Sequence, residues 1–209
     1  MTRPVAVIAG DIVQSGRLSA AELDAAFAAL GQAAAEISGW GGGEPTRFSR
    51  NRGDGWQVYL GDPTLALRAA LFLRAALRAA GKGLATRMAV GTGAQDVPPP
   101  DDLNAASGAA FLAAGHALDA MKAPAELVIA GGAPALAAVF RLADHISQSW
   151  TQKQAEALMP MLTPGPTTQQ DVAARRGITR QAVGQALAGS GFAALDDALR
   201  LIEGGAHSK

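Results

Sequence analysis

Cysteine is absent from all 209 residues, which removes disulfides, thiolate metal sites and cysteine nucleophiles from the chemistry available to this chain. That absence fits a reducing compartment. Charge of one sign is also missing in excess. The 18 Lys and Arg balance 18 Asp and Glu, so the formal net charge is zero. A chain-wide basic footprint for nucleic acid is therefore excluded, and any such binding has to come from a local patch. No apolar run approaches the length that spans a bilayer. Residues 1–10 (MTRPVAVIAG) lack the apolar stretch and small-residue cleavage site of a secretory signal. A cytoplasmic protein with no membrane partner is expected. What the chain has in quantity is apolar residues, 49% against 17% charged, a balance that suits a packed core and not a disordered chain. No internal repeat is visible, and the length suits one large domain, or a medium domain followed by a small one.

Residues 4–9 (PVAVIA) form a short β-branched run ending at Gly10-Asp11, the pattern of a buried strand. Residues 20–38 carry Leu23, Phe27, Leu30 and Ile37 at helical spacing behind a capping Ser19, and Trp40-Gly41-Gly42-Gly43 ends that helix. Thr46–Arg50 and Trp56–Leu60 read as two strands joined around Gly53-Asp54-Gly55, a hairpin signal. A helix opens at Asp62-Pro63 and runs to about Ala80. Thr86–Gly91 reads as a strand, the Pro-rich stretch Ala94–Leu103 as a loop, residues 104–122 as a helix, Glu126–Ala130 as a strand and Pro134–Ser149 as a helix. The order β-α-β-β-α-β-α-β-α predicts an α+β, ferredoxin-like palm with helices on one face of the sheet. The boundary falls between Trp150 and Pro166. The expected domains are 1–149 and a small all-α unit over 150–209.

Residues 168–188 read TQQDVAARRGITRQAVGQALA. Thr168 suits the cap of a first helix, with Asp171 reaching back to it. Val172 and Ala173 suit an inner face, Gly177 a tight turn, and Ile178 a plug into the core. Thr179 suits the cap of a second helix, with Ala182, Val183 and Leu187 turned inward. Helices over about Thr151–Leu162 and Leu195–Ile202 complete the unit. The pattern resembles the helix-turn-helix of many bacterial regulators over about twenty residues. That resemblance implies a second helix in the major groove of double-stranded DNA, with Arg180, Gln181 and Gln185 facing the bases. Thr168 and Thr179 would meet phosphates, and Arg175 and Arg176 would add backbone charge. No acidic residue lies between Val172 and Ala194. A helical hairpin used only for packing or dimerisation fits the same pattern. The near-balanced charge of residues 151–209 favours it, with Lys153, Arg175, Arg176, Arg180, Arg200 and Lys209 set against Glu156, Asp171, Asp196, Asp197 and Glu203.

In the palm, Asp11 ends the first strand and Asp54 sits in the hairpin turn beside it. Two carboxylates there suit Mg²⁺ or Mn²⁺, which favour oxygen ligands and substrate phosphates. Arg17, Arg50 and Arg52 lie close by in sequence as candidate phosphate-binding residues. The plainer alternative has both aspartates making turns and the arginines pairing with them. Gly10-Asp11-Ile12-Val13, Arg52-Gly53-Asp54-Gly55 and Thr86–Gly93 (TRMAVGTG) resemble the layout of class III nucleotide cyclase domains. The GDIVQS start, the GD hairpin and the later small-residue helix are similar to the SatD family over about residues 4–130.

The cyclase resemblance implies metal binding at Asp11 and Asp54. It also calls for an Asn and an Arg on a later helix to stabilise the transition state. Anchored on Gly108, those places fall at Leu112 and His116. Anchored on Asn104, the Asn is kept and Gly108 stands where the Arg belongs. The place of the base-selecting Lys falls near Arg50, a cation of different shape. Developing phosphoryl charge needs well-placed donors, so the expectation is a degenerate, inactive cyclase-like domain that senses a ligand or forms a homodimer. The competing expectation is a metal-dependent enzyme acting on a nucleotide or other phosphate compound. A partner-binding scaffold is the third. His116 reads as a partly buried structural residue. His145 and His207 have no partner at metal-binding spacing. Ser15 and Ser107 lack the surroundings of a nucleophile, and Trp56 and Tyr59 read as core residues.

Overall fold

The computed structural model describes residues 3–41, 44–95 and 98–204, which form a mixed α+β fold around a five-stranded sheet. β1 (Arg3–Ile12) lies in the middle, antiparallel to β3 (Gly55–Leu60) on one side and to β4 (Thr86–Gln95) on the other. β2 (Arg47–Arg50) closes one edge antiparallel to β3, and β5 (Leu127–Ala130) closes the other parallel to β4. The sheet order is β2-β3-β1-β4-β5. Of the Pro-rich loop expected over Ala94–Leu103, residues 96 and 97 lie outside the described residues.

β1 is buried without interruption from Val5 to Gly10 because both faces of the sheet are covered. Ala6, Ile8 and Ile12 enter one core, with α1 (Ala20–Ile37) and α2 (Ala66–Ala80) above them. Val5, Val7 and Ala9 enter another, beneath α3 (Ala109–Ala120). The expectation of helices on one face alone is thus corrected. The reason lies in β4. A Cβ on Gly91 would stand 2.2 Å from the Ala110 carbonyl oxygen and 2.4 Å from the Ala114 nitrogen. The missing side chains at Gly91 and Gly93 let the α3 backbone lie almost on the strand. Those same glycines make β4 look finished at Gly91, yet its pairing continues until Gln95 faces Arg3.

α1 begins at a full capping box. The Ser19 hydroxyl accepts from the Glu22 amide, and the Ser19 amide donates to the Glu22 carboxylate at 2.8 Å. α2 follows a single 3-10 turn over Pro63–Leu65, where the Asp62 side chain accepts from the Thr64 amide at 2.9 Å. From Ala66 to Leu77 every residue of α2 is buried, including Arg68 and Arg74. A helix buried on all sides needs cover on all sides, with partners for its two arginines. The sheet and α1 supply one part, and α5 (Gln152–Leu162) supplies another. The helix expected over 104–122 divides into a 3-10 turn at Leu103–Ala105 and α3. The break is Gly108, held at φ 141°.

α4 (Pro134–Gln148) is tied to α2 through a buried polar cluster. Arg74 donates to the Asp144 carboxylate at 3.0 Å and to the Ser147 hydroxyl, and Asp144 also accepts from the Glu126 amide at 3.1 Å. Past Trp150 come α5, α6 (Gln169–Arg176), α7 (Arg180–Gly189) and α8 (Phe192–Ile202). Their apolar residues Leu158, Leu162, Val172, Val183, Leu187, Leu195 and Leu199 belong to the same contiguous buried cluster as α1, α2 and one face of the sheet. Two polar contacts fasten the segment. The Trp150 indole donates to the Ser190 carbonyl at 2.9 Å. Arg68, 6% exposed, grips Glu203 just past α8 with Nε and Nη2 at 2.6 and 2.8 Å and donates to the Leu162 carbonyl at 3.1 Å.

Candidate functional sites

The first candidate surface is built by α6 and α7. Thr168 caps α6 in a capping box with Asp171, the amide of Thr168 donating to the carboxylate at 2.9 Å. Those bonds, first from the Thr168 hydroxyl and then from its amide, hold the Asp171 carboxyl below its ordinary value. At the other end, Gly177 takes a left-handed conformation at φ 64°. The Ile178 amide reaches the Ala173 carbonyl at 3.1 Å and the Gly177 amide reaches that of Ala174 at 3.4 Å, the paired bonds of a Schellman ending. Thr179 then caps α7, its hydroxyl accepting from the Ala182 amide at 3.1 Å. Val172, Ala173, Val183 and Leu187 are buried as expected. Two expectations are corrected. Ile178 is 44% exposed, because the turn carries it past the core, and Ala182 faces solvent one step round the helix from buried Val183.

With Val183 and Leu187 fixing which side is inward, Arg180, Gln181, Gly184, Gln185 and Ala188 share the outward side. Together with Gln169 of α6 they line an open hollow that holds no acidic residue. Gly184 approaches the Gln169 side chain so closely that a Cβ would stand 3.3 Å from its Oε1. Arg175 is exposed. Arg176 is drawn instead to Glu156 of α5, so its charge is partly spent inside the molecule. The sequence shows Glu156 only as part of the charge balance, since nothing local places α5 against the end of α6.

The second candidate surface is the end of β1. Gly10 and Asp11 point to opposite faces. A Cβ on Gly10 would stand 2.4 Å from the Trp56 ring, so glycine makes room for the indole on the α1–α2 face. The indole donates to the Thr86 hydroxyl at 3.1 Å, which donates to the Asp11 carbonyl at 2.7 Å. Asp11 itself projects to the α3 face, directly across from Arg87 in β4 and from Gly55 in β3. Arg87 takes both of its carboxylate oxygens, Nε donating to Oδ1 at 3.0 Å and Nη2 to Oδ2. These bonds push the Arg87 guanidinium above its ordinary value, against the opposing effect of burial, with the charges of Asp11, Asp54 and Asp119 adding to the rise. Asp54 is brought beside Asp11, its carbonyl accepting from the Ile12 amide at 3.2 Å. Its carboxylate accepts from the Ser15 hydroxyl, in a turn made possible by left-handed Gln14 at φ 55°.

Of the three arginines expected to meet phosphate, two are engaged within the fold. Arg17 donates to the Gln14 side chain at 3.2 Å. Arg50 pairs with Asp24 at 3.1 Å and stacks over the Phe27 ring, 4.0 Å from its centroid. Arg52 is exposed on the hairpin. Asn104 donates to the Arg50 carbonyl at 3.1 Å, and Leu112 lies exposed on α3; the expectation of a partly buried His116 is corrected, since it too faces solvent there. Trp56 and Tyr59 are buried in the two cores, as read from the sequence. His207 lies outside the described residues. Arg87 and Ser15 were missed as partners of the two aspartates. The signal for Arg87 was its odd-numbered place with Ala89, Gly91 and Gly93 in β4, which becomes readable once the register against β1 is known. No group of three His, Asp or Glu residues that could hold a metal ion occurs among the described residues, and none of the described helices is long and apolar enough to cross a membrane.

No family model matches the chain, and no curated protein matches it. Among solved structures, the active GGEEF domain of a diguanylate cyclase from Vibrio cholerae matches with a TM-score of 0.44 and 13% identity, over 63% of this chain and 85% of that one.

Proposed function

We propose that the chain is a DNA-binding transcription regulator whose α6 and α7 act as a helix-turn-helix, with α7 in the major groove. The observation that carries this reading is the outward side of α7. Arg180, Gln181 and Gln185 stand exposed around a hollow without acidic residues, and Arg180 enters no ion pair among the described residues. Arg suits the O6 and N7 of guanine, and Gln suits the N6 and N7 of adenine, each through two hydrogen bonds. Gly184 makes room for the Gln169 side chain of α6 beside these residues, and Ala188 keeps the far end of the surface low. The capped starts of α6 and α7, at Thr168 and Thr179, offer amides and hydroxyls to phosphate, and Arg175 adds an exposed cation. One such helix makes few contacts, so a homodimer reading two half-sites is part of the proposal. The sheet-containing part, of SatD-like and cyclase-like kind but without cyclase activity, takes the role of dimerising or ligand-sensing unit.

Selection of bound duplexes from a random-sequence pool tests the reading. The expected result is an enriched two-fold symmetric site whose binding weakens steeply with salt, as phosphate contacts require. Recovery of no enriched sequence overturns it. Sedimentation of the free protein checks the dimer separately.

A further inference from the structure

We propose that Arg87 stands where a divalent cation would otherwise stand at the end of β1, so that the Asp11–Asp54 corner of the native chain is a guanidinium site and not a metal site. The pairing is built into the sheet. Asp11 and Arg87 are directly opposite each other in the β1–β4 register and project to the same face, so the guanidinium is placed by backbone pairing and not swung in from a loop. The planar fork matches both carboxylate oxygens of Asp11 at once. Asp54 is engaged from the other side by Ser15. Mg²⁺ and Mn²⁺ favour several oxygen ligands in octahedral geometry. To gain Asp11, such an ion would have to break two charge-assisted bonds and then sit against a cation that cannot lose its proton. Arg87 is already the local counter-ion, feeling Asp11, Asp54 and Asp119 together. Metal-dependent phosphoryl chemistry at this corner is therefore closed to the native chain. The inference does not depend on DNA binding by α7.

The test is Mn²⁺ binding to the full chain, followed by the loss of the free-ion paramagnetic resonance signal. Wild type is expected to show no saturable binding, and Arg87→Lys, which keeps the cation, is expected to behave alike. Arg87→Met is expected to gain a saturable site, and adding Asp11→Asn to it is expected to abolish the gain. Arg87→Gln, neutral but still able to donate to Asp11, gives the same readout if Arg87→Met does not fold, as judged by its circular dichroism melt. Saturable binding by wild type that Asp11→Asn removes overturns the proposal. So does a folded neutral Arg87 variant that gains no binding, since the carboxylates would then lack the arrangement attributed to them.

Discussion

At the end of β1, Asp11 is gripped by Arg87 and Asp54 by Ser15, whereas along the outward side of α7 Arg180, Gln181 and Gln185 project into solvent beside a hollow with no counter-charge. Both places carry residue types associated with function, and both were visible in the sequence. They differ in whether those residues are already answered. A carboxylate with both oxygens bonded inside the fold contributes to the fold. A cation on a helix surface cleared of acids, above a packed Val183 and Leu187, is available to something outside. The contrast favours α7 over the aspartate corner as the working surface, and it can be tested by breaking each side in turn.

The largest effect is expected where the two regions are joined. Arg68 is buried in α2 and holds Glu203 and the Leu162 carbonyl, coupling the sheet side to α8 and the end of α5. Arg68→Met leaves Glu203, whose side chain is 18% exposed, and the buried Leu162 carbonyl without their donor, a loss of about 2–3 kcal/mol. Urea unfolding is expected to show a single transition shifted by that amount. Two transitions in the variant against one in wild type would mean that the helical segment and the sheet unfold separately once the clamp is cut.

Next in size is the direct test of α7. Once a target duplex is selected, Arg180→Ala is expected to cost about 1–3 kcal/mol of specific affinity and to relax the preference at one base position, as for any bidentate contact to a base edge. Arg176→Ala is expected to cost less, because Glu156 already shares that charge. Equal losses from the two substitutions, measured by fluorescence anisotropy, would show that α7 touches only the backbone. At the opposite corner, Asp11→Asn is expected to leave DNA affinity unchanged and to lower stability by less than about 1 kcal/mol, since Arg87 is 41% exposed and its pair with Asp11 is screened. A fall in DNA affinity with Asp11→Asn would tie the corner to the function assigned to α7.

How much of this was legible depended on whether the cause was local. Ser19, Thr168, Thr179 and Gly177 were readable because caps and left-handed turns are written within four residues. The hairpin around Gly53-Asp54-Gly55 was readable for the same reason. What was not readable depended on register or on distant packing. Gly91 and Gly93 look like strand breakers until α3 is laid on them. Helices on one face is the simpler guess until β1 is seen to be buried at odd and even positions alike. Arg50 looks like a phosphate ligand beside Asp54, but Phe27 and Asp24, a helix away, hold it. Ile178 looks like a core residue by composition, and only the path of the Schellman ending shows that it stays half in solvent.

The smallest expected effect lies at the cap that starts α6, and its sign follows from the pairing there. The Thr168 hydroxyl and amide bond the Asp171 carboxylate and hold its carboxyl below the ordinary value in the folded chain. A group depressed in this way stabilises the fold above its unfolded value and loses that contribution as pH falls through the folded one. Stability is therefore expected to decline on acidification into and below the usual carboxylate range, with a small part of the slope belonging to Asp171. Asp171→Asn keeps an oxygen acceptor for the Thr168 groups but removes the titration, so its urea midpoint should fall less steeply than that of wild type over the same acid range. If the slope is unchanged by Asp171→Asn, the capping carboxylate carries none of the acid sensitivity, and the start of α6 is held by packing and not by its charge.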